Sequence, residues 1–378
     1  MKIVIDALSQ VGAGSRTYLE NVLPRLGRSS LSAGWEYVIH WPAGVDLPKG
    51  VAGRENLQIR RLPVPQKPAL IRLLHQQLIV PFLVRDADLF FAPVDTAPLL
   101  CPAPMVLAVR NPNPYYSIER SRMMSLYYQM KKWLVNLSAR RSSRVFFVSD
   151  HSREHISPQI DLPFEKTRVI HHGLDHAQFK PGEGRRAPEV PGLGRLPDSY
   201  LLLVSTITPH KNIEVLLEAY GGLTAALRDK HPVLIAGRIA EEDYFSQLKS
   251  LTSSLHIEEG VRFLGEVPYS DIHLLYQGAA VFVLSSHLET FGHTLVEAMA
   301  CGAPVVASER TAVPEILGGA GILFDPDREE ELRKQLKRLL MEPDLAERLS
   351  KEGIRRAQDF SWDKTASELE GIFEEYNP

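Results

Sequence analysis

The stretch Ala280–Ala307, AVFVLSSHLETFGHTLVEAMACGAPVVA, carries the reading of the fold. It opens on an uncharged apolar run, AVFVLSS, and crosses a short polar loop holding Glu289. It then enters TLVEAMA through Gly292 and Thr294, with Glu297 inside that segment. Gly302 and Pro304 end it, as helix-stopping residues do, and APVVAS begins a second apolar run. Short apolar runs without alternation are strands covered on both faces. A strand, a helix and a second such strand make one unit of a parallel α/β sheet.

The same rhythm runs outward in both directions. YLLLVS, PVLIAG and VRFLG precede the stretch and GILFD follows it. Helices are predicted to begin near Asn212, Glu241, Ser270, Thr294 and Arg328. The first half repeats the pattern with KIVID, YVIHW, LQIRRL, ADLFFA, PMVLAV, RVFFVS and TRVIHH as strands. SRTYLENVLPRL and YYSIERSRMMSLYYQMKKWLVNLSARR read as helices between them. Residues 181–199, PGEGRRAPEVPGLGRLPDS, are dense in Pro and Gly without periodicity, the composition of an interdomain linker. With 378 residues the chain is long enough for two domains. The prediction is two doubly wound parallel-sheet domains, 1–180 and 200–358, with residues 359–378 a helix crossing back to the first. Ligands of such sheets bind beyond the carboxyl ends of the strands, so two facing domains would form a cleft.

Composition narrows the function. Two cysteines far apart, Cys101 and Cys301, follow no metal or redox spacing and suit a reducing cytoplasm. Lys2 and Asp6 interrupt the first apolar run, which reads as a strand rather than a signal peptide. No run approaches the ~18 apolar residues of a membrane span. The net charge of -3 is unevenly spread. Residues 1–180 carry 23 Lys+Arg against 14 Asp+Glu, and the remainder 20 against 32, giving +9 and −12. That polarity describes a surface field, not a nucleic-acid motif. Residues 115–144 interleave Met123, Met124, Leu126, Tyr127, Tyr128, Trp133 and Leu134 with Arg120, Arg122, Lys131, Lys132, Arg140, Arg141 and Arg144. The plainer reading is an amphipathic helix covering the sheet; the other is peripheral contact with an anionic membrane or acceptor.

The two glutamates of the opening stretch have distinct chemical uses. A carboxylate one turn into a helix beside a strand end can accept both ribose hydroxyls, which suits Glu297. Amides at the helix start, around Gly292, His293, Thr294 and Leu295, suit a diphosphate or sugar hydroxyls. Glu289, in the loop, can then reach the sugar. A capping glutamate beside a solvated one is the plainer alternative. Lys211 in TITPHKN, at another strand-to-helix turn, is placed to meet phosphate charge. Gly237, Arg238 and Val267 follow successive strand ends on the same edge.

These residues resemble glycosyltransferase family 4, retaining enzymes of the two-domain GT-B fold with two Rossmann-like domains. The match runs through Glu289, Phe291, Gly292, Glu297, Ala298, Met299, Ala300, Gly302, Pro304, Val305 and Val306. It extends to Lys211, to VIHHGLDHAQF before the linker and to FSWDKTASELEGIFEEY near the end. The resemblance implies ribose at Glu297, diphosphate at Lys211 and the transferred hexose at Glu289. The donor would be a UDP- or GDP-linked sugar, a co-substrate rather than a cofactor, and the acceptor a sugar or lipid-linked sugar of surface polysaccharide, glycolipid or glycoconjugate synthesis. No metal is implied. The sequence departs from the pattern at Thr206, where the family has arginine; Arg238 or Arg16 could compensate. The glycine turn after KIVID brings Gly12, Gly14 and Arg16 toward the donor phosphate in the resemblance, with a plain tight turn as the alternative. Arg110 and Asn111 stand where the family often has a histidine contacting the sugar. His171 and His172 read as packing or domain-bridging residues. A nucleotide-sugar epimerase or hydrolase of this fold, or a non-catalytic nucleotide-sugar-binding protein, are the rival readings. The Glu-x7-Glu context favours a transferase; the expected place is the cytoplasm, with the basic first domain permitting contact with the inner membrane face.

Overall fold

A computed structural model describes residues 1–8, 13–65, 69–116, 122–182 and 189–377, the side chains of 13–15 and 122–125 excepted. The chain divides into two compact units: Met1–Gly173 with Trp362–Pro378, and Leu174–Ser361.

Unit 1 holds a seven-stranded parallel sheet. Its strands are β1 Lys2–Asp6, β2 Glu36–Pro42, β3 Leu57–Leu62, β4 Leu89–Ala92, β5 Met105–Val109, β6 Arg144–Phe147 and β7 Thr167–Val169, in the spatial order β3-β2-β1-β4-β5-β6-β7. Helices α1 Ala13–Val22, α2 Ala69–Leu78, α3 Val80–Leu83, α4 Arg122–Arg141 and α5 Asp150–Ile160 connect the strands. One core packs Ile3, Tyr18, Trp41 and Phe91 with Trp362, Leu369 and Phe373 of the terminal helix. That helix is pinned by Glu370, whose buried carboxylate accepts from Tyr37 Oη at 2.9 Å and the Gly27 amide at 2.6 Å.

Unit 2 holds a six-stranded parallel sheet. A short hairpin, β8 Glu189–Val190 with β9 Gly194–Arg195, precedes β10 Leu201–Val204, β11 Val233–Ala236, β12 Val261–Gly265, β13 Val281–Leu284, β14 Val305–Ser308 and β15 Ile322–Phe324. The sheet order is β12-β11-β10-β13-β14-β15. Helices α6 Ile213–Gly221, α7 Ala225–Lys230, α8 Glu242–Ser254, α9 Ile272–Gly278, α10 His293–Ala300, α11 Val313–Leu317, α12 Glu329–Met341 and α13 Pro343–Ala357 complete it, and α14 Trp362–Glu374 returns to unit 1. Every residue of β10, β11, β13 and β14 is buried, which is why these strands read as unbroken apolar runs.

The first boundary lies at Gly173/Leu174 rather than near residue 180, and the stretch expected as a linker, 181–199, belongs to unit 2. Its few apolar residues anchor it: Val190 and Leu196 are buried, as are Leu174 and Phe179 just before it. Residues 183–188 lie outside the described part. Leu174 also bridges Ser361, so the chain enters and leaves unit 2 at adjoining points.

Candidate active site

In unit 2 the chain leaves β10 to build β11 and β12 on one side, then returns to place β13 on the other. The loops after β10 and β13 therefore diverge at the switch point where open α/β sheets bind ligands. The loop from β10 contains a single 3₁₀ turn, Pro209–Lys211, closed by Asn212 in the left-handed region at φ 49°. Asn212 is held there by its amide donating to the Pro326 carbonyl at 2.8 Å. The two loops are stitched together. Ser285 Oγ donates to the Lys211 carbonyl at 2.9 Å, and the His287 amide to the His210 carbonyl at 2.9 Å.

This places Lys211 Nζ 2.7 Å from Glu289 Oε1, with both side chains mostly out of water. Ser286 Oγ donates to the same oxygen at 2.9 Å, and Thr311 Oγ1 accepts the Glu289 amide at 3.0 Å. Burial pushes the Glu289 carboxyl upward. The charge of Lys211 and the bonds from Lys211 and Ser286 outweigh it and hold the group below the usual glutamate range.

Helix α10 starts from Gly292, whose φ of 85° turns the chain sharply into the helix. The first amide to close an intrahelical bond is Leu295, to the Gly292 carbonyl at 3.0 Å. The amides of Gly292, His293 and Thr294 thus precede the helical ladder at its positive end. Glu297, one turn in, is only 4% exposed. Its two oxygens accept from Tyr276 Oη at 2.8 Å and Tyr269 Oη at 3.1 Å. Burial raises its carboxyl to about 7, the two phenol hydrogen bonds opposing the shift.

The remaining candidates fall into separate places. Thr206 lies in the β10 loop; its carbonyl accepts a long bond from Ser205 Oγ at 3.3 Å. Gly237 sits at φ 148°, where a Cβ would stand 1.8 Å from the Ser205 carbonyl oxygen. Its close neighbour is therefore the protein's own backbone. Arg238 is exposed and its carbonyl accepts the Ile207 amide at 2.9 Å. Val267 is partly buried. Phe291 and Leu295 are core residues, so only their backbones can face a ligand. Gly14, Arg16 and Arg110 belong to unit 1. Gly14 is in α1, and Gly12 is outside the described residues. Arg16 bonds Glu20 at 2.7 Å on the helix surface. Arg110 follows β5 with its guanidinium 4.2 Å above the Tyr18 ring, and burial draws it below the usual arginine range, Tyr18 and Asp95 opposing. His172 packs against Tyr18 and Trp362 and the His171 carbonyl accepts from Thr365, all within unit 1.

Sequence reasoning missed the residues that hold the two glutamates: Ser286, Thr311, Tyr269 and Tyr276. Tyr276 stands in a helix reading IHLLYQG, where an aromatic signals core and nothing more. A surface depression of about 810 Å³ bordered by Glu218, His287, Asp327 and Glu329 adjoins Asn212, but its carboxylates oppose an anionic ligand. Among the described residues no three His, Cys, Asp or Glu side chains are placed to share a metal ion.

Residues 193–356 match the family described as glycosyl transferases group 1. The chain is 32% identical over 227 residues to the O-antigen chain mannosyltransferase B of Escherichia coli, covering 59% of this chain and 58% of that one. It is 33% identical over 212 residues to a D-inositol 3-phosphate glycosyltransferase of Thermobifida fusca, covering 54% and 48%. The chain thus spans about half the length of these relatives. Among solved structures it resembles sucrose-phosphate synthase of Thermosynechococcus elongatus, with a TM-score of 0.77, 17% identity and 99% and 98% of the two chains covered. It also resembles Anabaena HepE in complex with UDP-glucose, with a TM-score of 0.73, 19% identity and 99% and 100% covered. The fold is GT-B. No helix among the described residues is long and apolar enough to cross a membrane.

Proposed function

We propose that this chain is a retaining glycosyltransferase that moves a hexose from a nucleoside diphosphate to an acceptor hydroxyl. The observation that carries the reading is the convergence, at the unit 2 switch point, of Lys211 and Glu289 at 2.7 Å beside the amide-lined start of α10, with Glu297 one turn inside. Glu297 takes the ribose; Tyr269, half exposed, yields its place on Oε1 to a ribose hydroxyl. Lys211 leaves Glu289 for the diphosphate, and the amides of Gly292, His293 and Thr294 take the remaining negative charge as the leaving group departs. Glu289, freed from Lys211, orients the sugar hydroxyls.

The negative charge of the departing diphosphate is met by a fixed cation and helix dipole, so the reading requires no metal. Gly14 and Arg16 keep, within this proposal, the donor-phosphate roles that the resemblance implies; Arg110 or Asn111 takes the place of the missing histidine, and Arg238 or Arg16 that of the arginine absent at Thr206. The names of the matched relatives, an O-antigen mannosyltransferase among them, support surface polysaccharide or glycoconjugate synthesis from cytoplasmic nucleotide sugars. Incubation with UDP-glucose, UDP-galactose and GDP-mannose, with and without lipid-linked sugar acceptors, tests the reading. Sugar transfer with the anomeric configuration kept is expected. Epimerised nucleotide sugar without acceptor, or binding without turnover, would overturn it.

A further inference from the structure

Among the described residues, those other than glycine that hold a positive φ are Asp95, Asp161, Asn212, His256 and Thr311. The first four are Asp, Asn or His, the types that reach the left-handed region most readily. Thr311, at φ 53°, is β-branched. Its side chain is crowded against the backbone there, and such a conformation persists only where the surroundings over-determine it. Glycine would adopt it without that crowding.

The backbone around Thr311 is fixed without its side chain. The Glu309 amide donates to the Phe324 carbonyl at 2.9 Å, and the Val313 amide to the Arg310 carbonyl at 3.2 Å. Arg310 Nη2 reaches Asp325 Oδ1 at 2.8 Å and Asp327 Oδ2 at 2.9 Å, tying the loop to the chain just past β15. What the threonine adds is its hydroxyl. Thr311 Oγ1 accepts the Glu289 amide at 3.0 Å. The next residue, Ala312, donates its own amide to the Glu289 carbonyl at 3.4 Å. Two consecutive residues of the loop after β14 thus take both backbone polar groups of Glu289. Among the described residues the side-chain bonds of Glu289, from Lys211 and Ser286, both fall on Oε1, which leaves Oε2 for a ligand.

We infer that Thr311 is a positioning residue for Glu289, its strained backbone kept because its hydroxyl fixes where the Glu289 carboxylate stands during transfer. The inference rests on the sugar-orienting role proposed above for Glu289. Once Lys211 moves to the diphosphate, Ser286 alone grips the carboxylate, and the clamp on the Glu289 backbone carries its placement. Nucleotide affinity falls to Glu297, Lys211 and the start of α10, so Thr311 acts on turnover and not on donor binding.

Thr311→Gly removes the hydroxyl and suits the backbone, and Thr311→Ser keeps the hydroxyl. Each is made in the full chain, alone and combined with Glu289→Gln. Turnover and affinity are read with whichever of UDP-glucose, UDP-galactose and GDP-mannose the wild type uses, and exchange of the Glu289 amide by NMR. Thr311→Gly should lower kcat about tenfold, leave donor affinity within about twofold and speed that exchange about tenfold or more. Thr311→Ser should return kcat and exchange to within about threefold of the wild type. With Glu289→Gln in place, Thr311→Gly should lower kcat by less than about twofold further, because the group it positions is gone. Circular dichroism verifies that each variant folds. Wild-type kcat in Thr311→Gly, Thr311→Ser as slow as Thr311→Gly, or the full loss persisting in the double variant would overturn the inference. Wild-type turnover in Glu289→Gln alone would instead remove the role proposed for Glu289, and the inference with it. That failure is distinguishable because the other three are scored with Glu289→Gln impaired.

Discussion

The pH dependence of donor binding follows from the environment of Glu297. Its carboxyl sits at about 7 because burial opposes its charge. Ribose hydroxyls donate best to the ionised form, so binding and ionisation are linked. With that value, about a tenth of the protein is competent at pH 6 and about nine-tenths at pH 8. The apparent Kd for a nucleotide sugar then falls about tenfold across this range, about 1.4 kcal/mol, and levels off above it. Calorimetry reads this directly, using a nucleotide sugar because its diphosphate diester does not titrate near neutrality. Two buffers of different ionisation enthalpy should show net proton release at pH 7, of which Glu297 supplies about half a proton. The neighbouring Tyr276 and Cys301 are both pushed well above their ordinary values by burial and do not titrate in this window. Glu297→Gln should bind weakly and without pH dependence. An affinity that is flat or falls with pH in the wild type, or a slope surviving in Glu297→Gln, would refute the linkage.

Other outcomes follow from the same geometry. Without ligand, Glu297 contributes stability that is complete below its ordinary value of 4.5 and lost as pH rises through about 7. The loss is about 3 kcal/mol at most, read as a drop in Tm between pH 5 and 8 that Glu297→Gln lacks. Lys211→Met strands the Glu289 carboxylate, so it should cost about 2 kcal/mol of stability and weaken nucleotide binding about tenfold. Glu289→Gln should keep nucleotide affinity within about threefold and lower kcat about a hundredfold or more, a split visible in calorimetry and initial rates. Gly237→Ala should unfold the protein or cost about 3 kcal/mol or more, because its Cβ would meet the Ser205 carbonyl at 1.8 Å. Transfer should persist in EDTA; loss restored by added Mn²⁺ would contradict the metal-free reading.

Most strands were legible because buried parallel strands are plain apolar runs; β3, LQIRRL, and β12, VRFLG, are exceptions at sheet edges, with polar residues and partial exposure. Helices were legible only where their inward faces were large and apolar. Helix α13 buries Leu345 and Leu349 in its first half but only Gly353 and Ala357 in its second, where an added Cβ on Gly353 would stand 3.4 Å from Met299, so its apolar stripe is short. Helix α2 escaped because its stripe points outward and its inward residue is a glutamine. At the site, Lys211, Glu289 and Glu297 were legible from residue type beside strand ends. The partners that set their charge states were not, because Tyr269 and Tyr276 reach Glu297 from 28 and 21 residues away and Thr311 reaches Glu289 from 22. Sequence assigned Lys211 and Glu289 to different parts of the donor, whereas without ligand they are each other's partner.

Within the proposed function, that pairing lets two glutamates eight positions apart serve opposite ends of one ligand. Both are withdrawn from water, so burial alone would make both reluctant acids. Glu289 meets a cation and stays ionised; Glu297 meets two neutral phenols and stays near its titration point. Environments that push two like groups apart are how one site assigns them separate work. Arrival of a diphosphate should draw Lys211 away from Glu289, raising the Glu289 carboxyl as ribose hydroxyls lower that of Glu297. The two shifts oppose one another, so the net proton release on binding should be larger in Glu289→Gln than in the wild type. Equal release in the two proteins would show that Lys211 does not leave Glu289 for the phosphate.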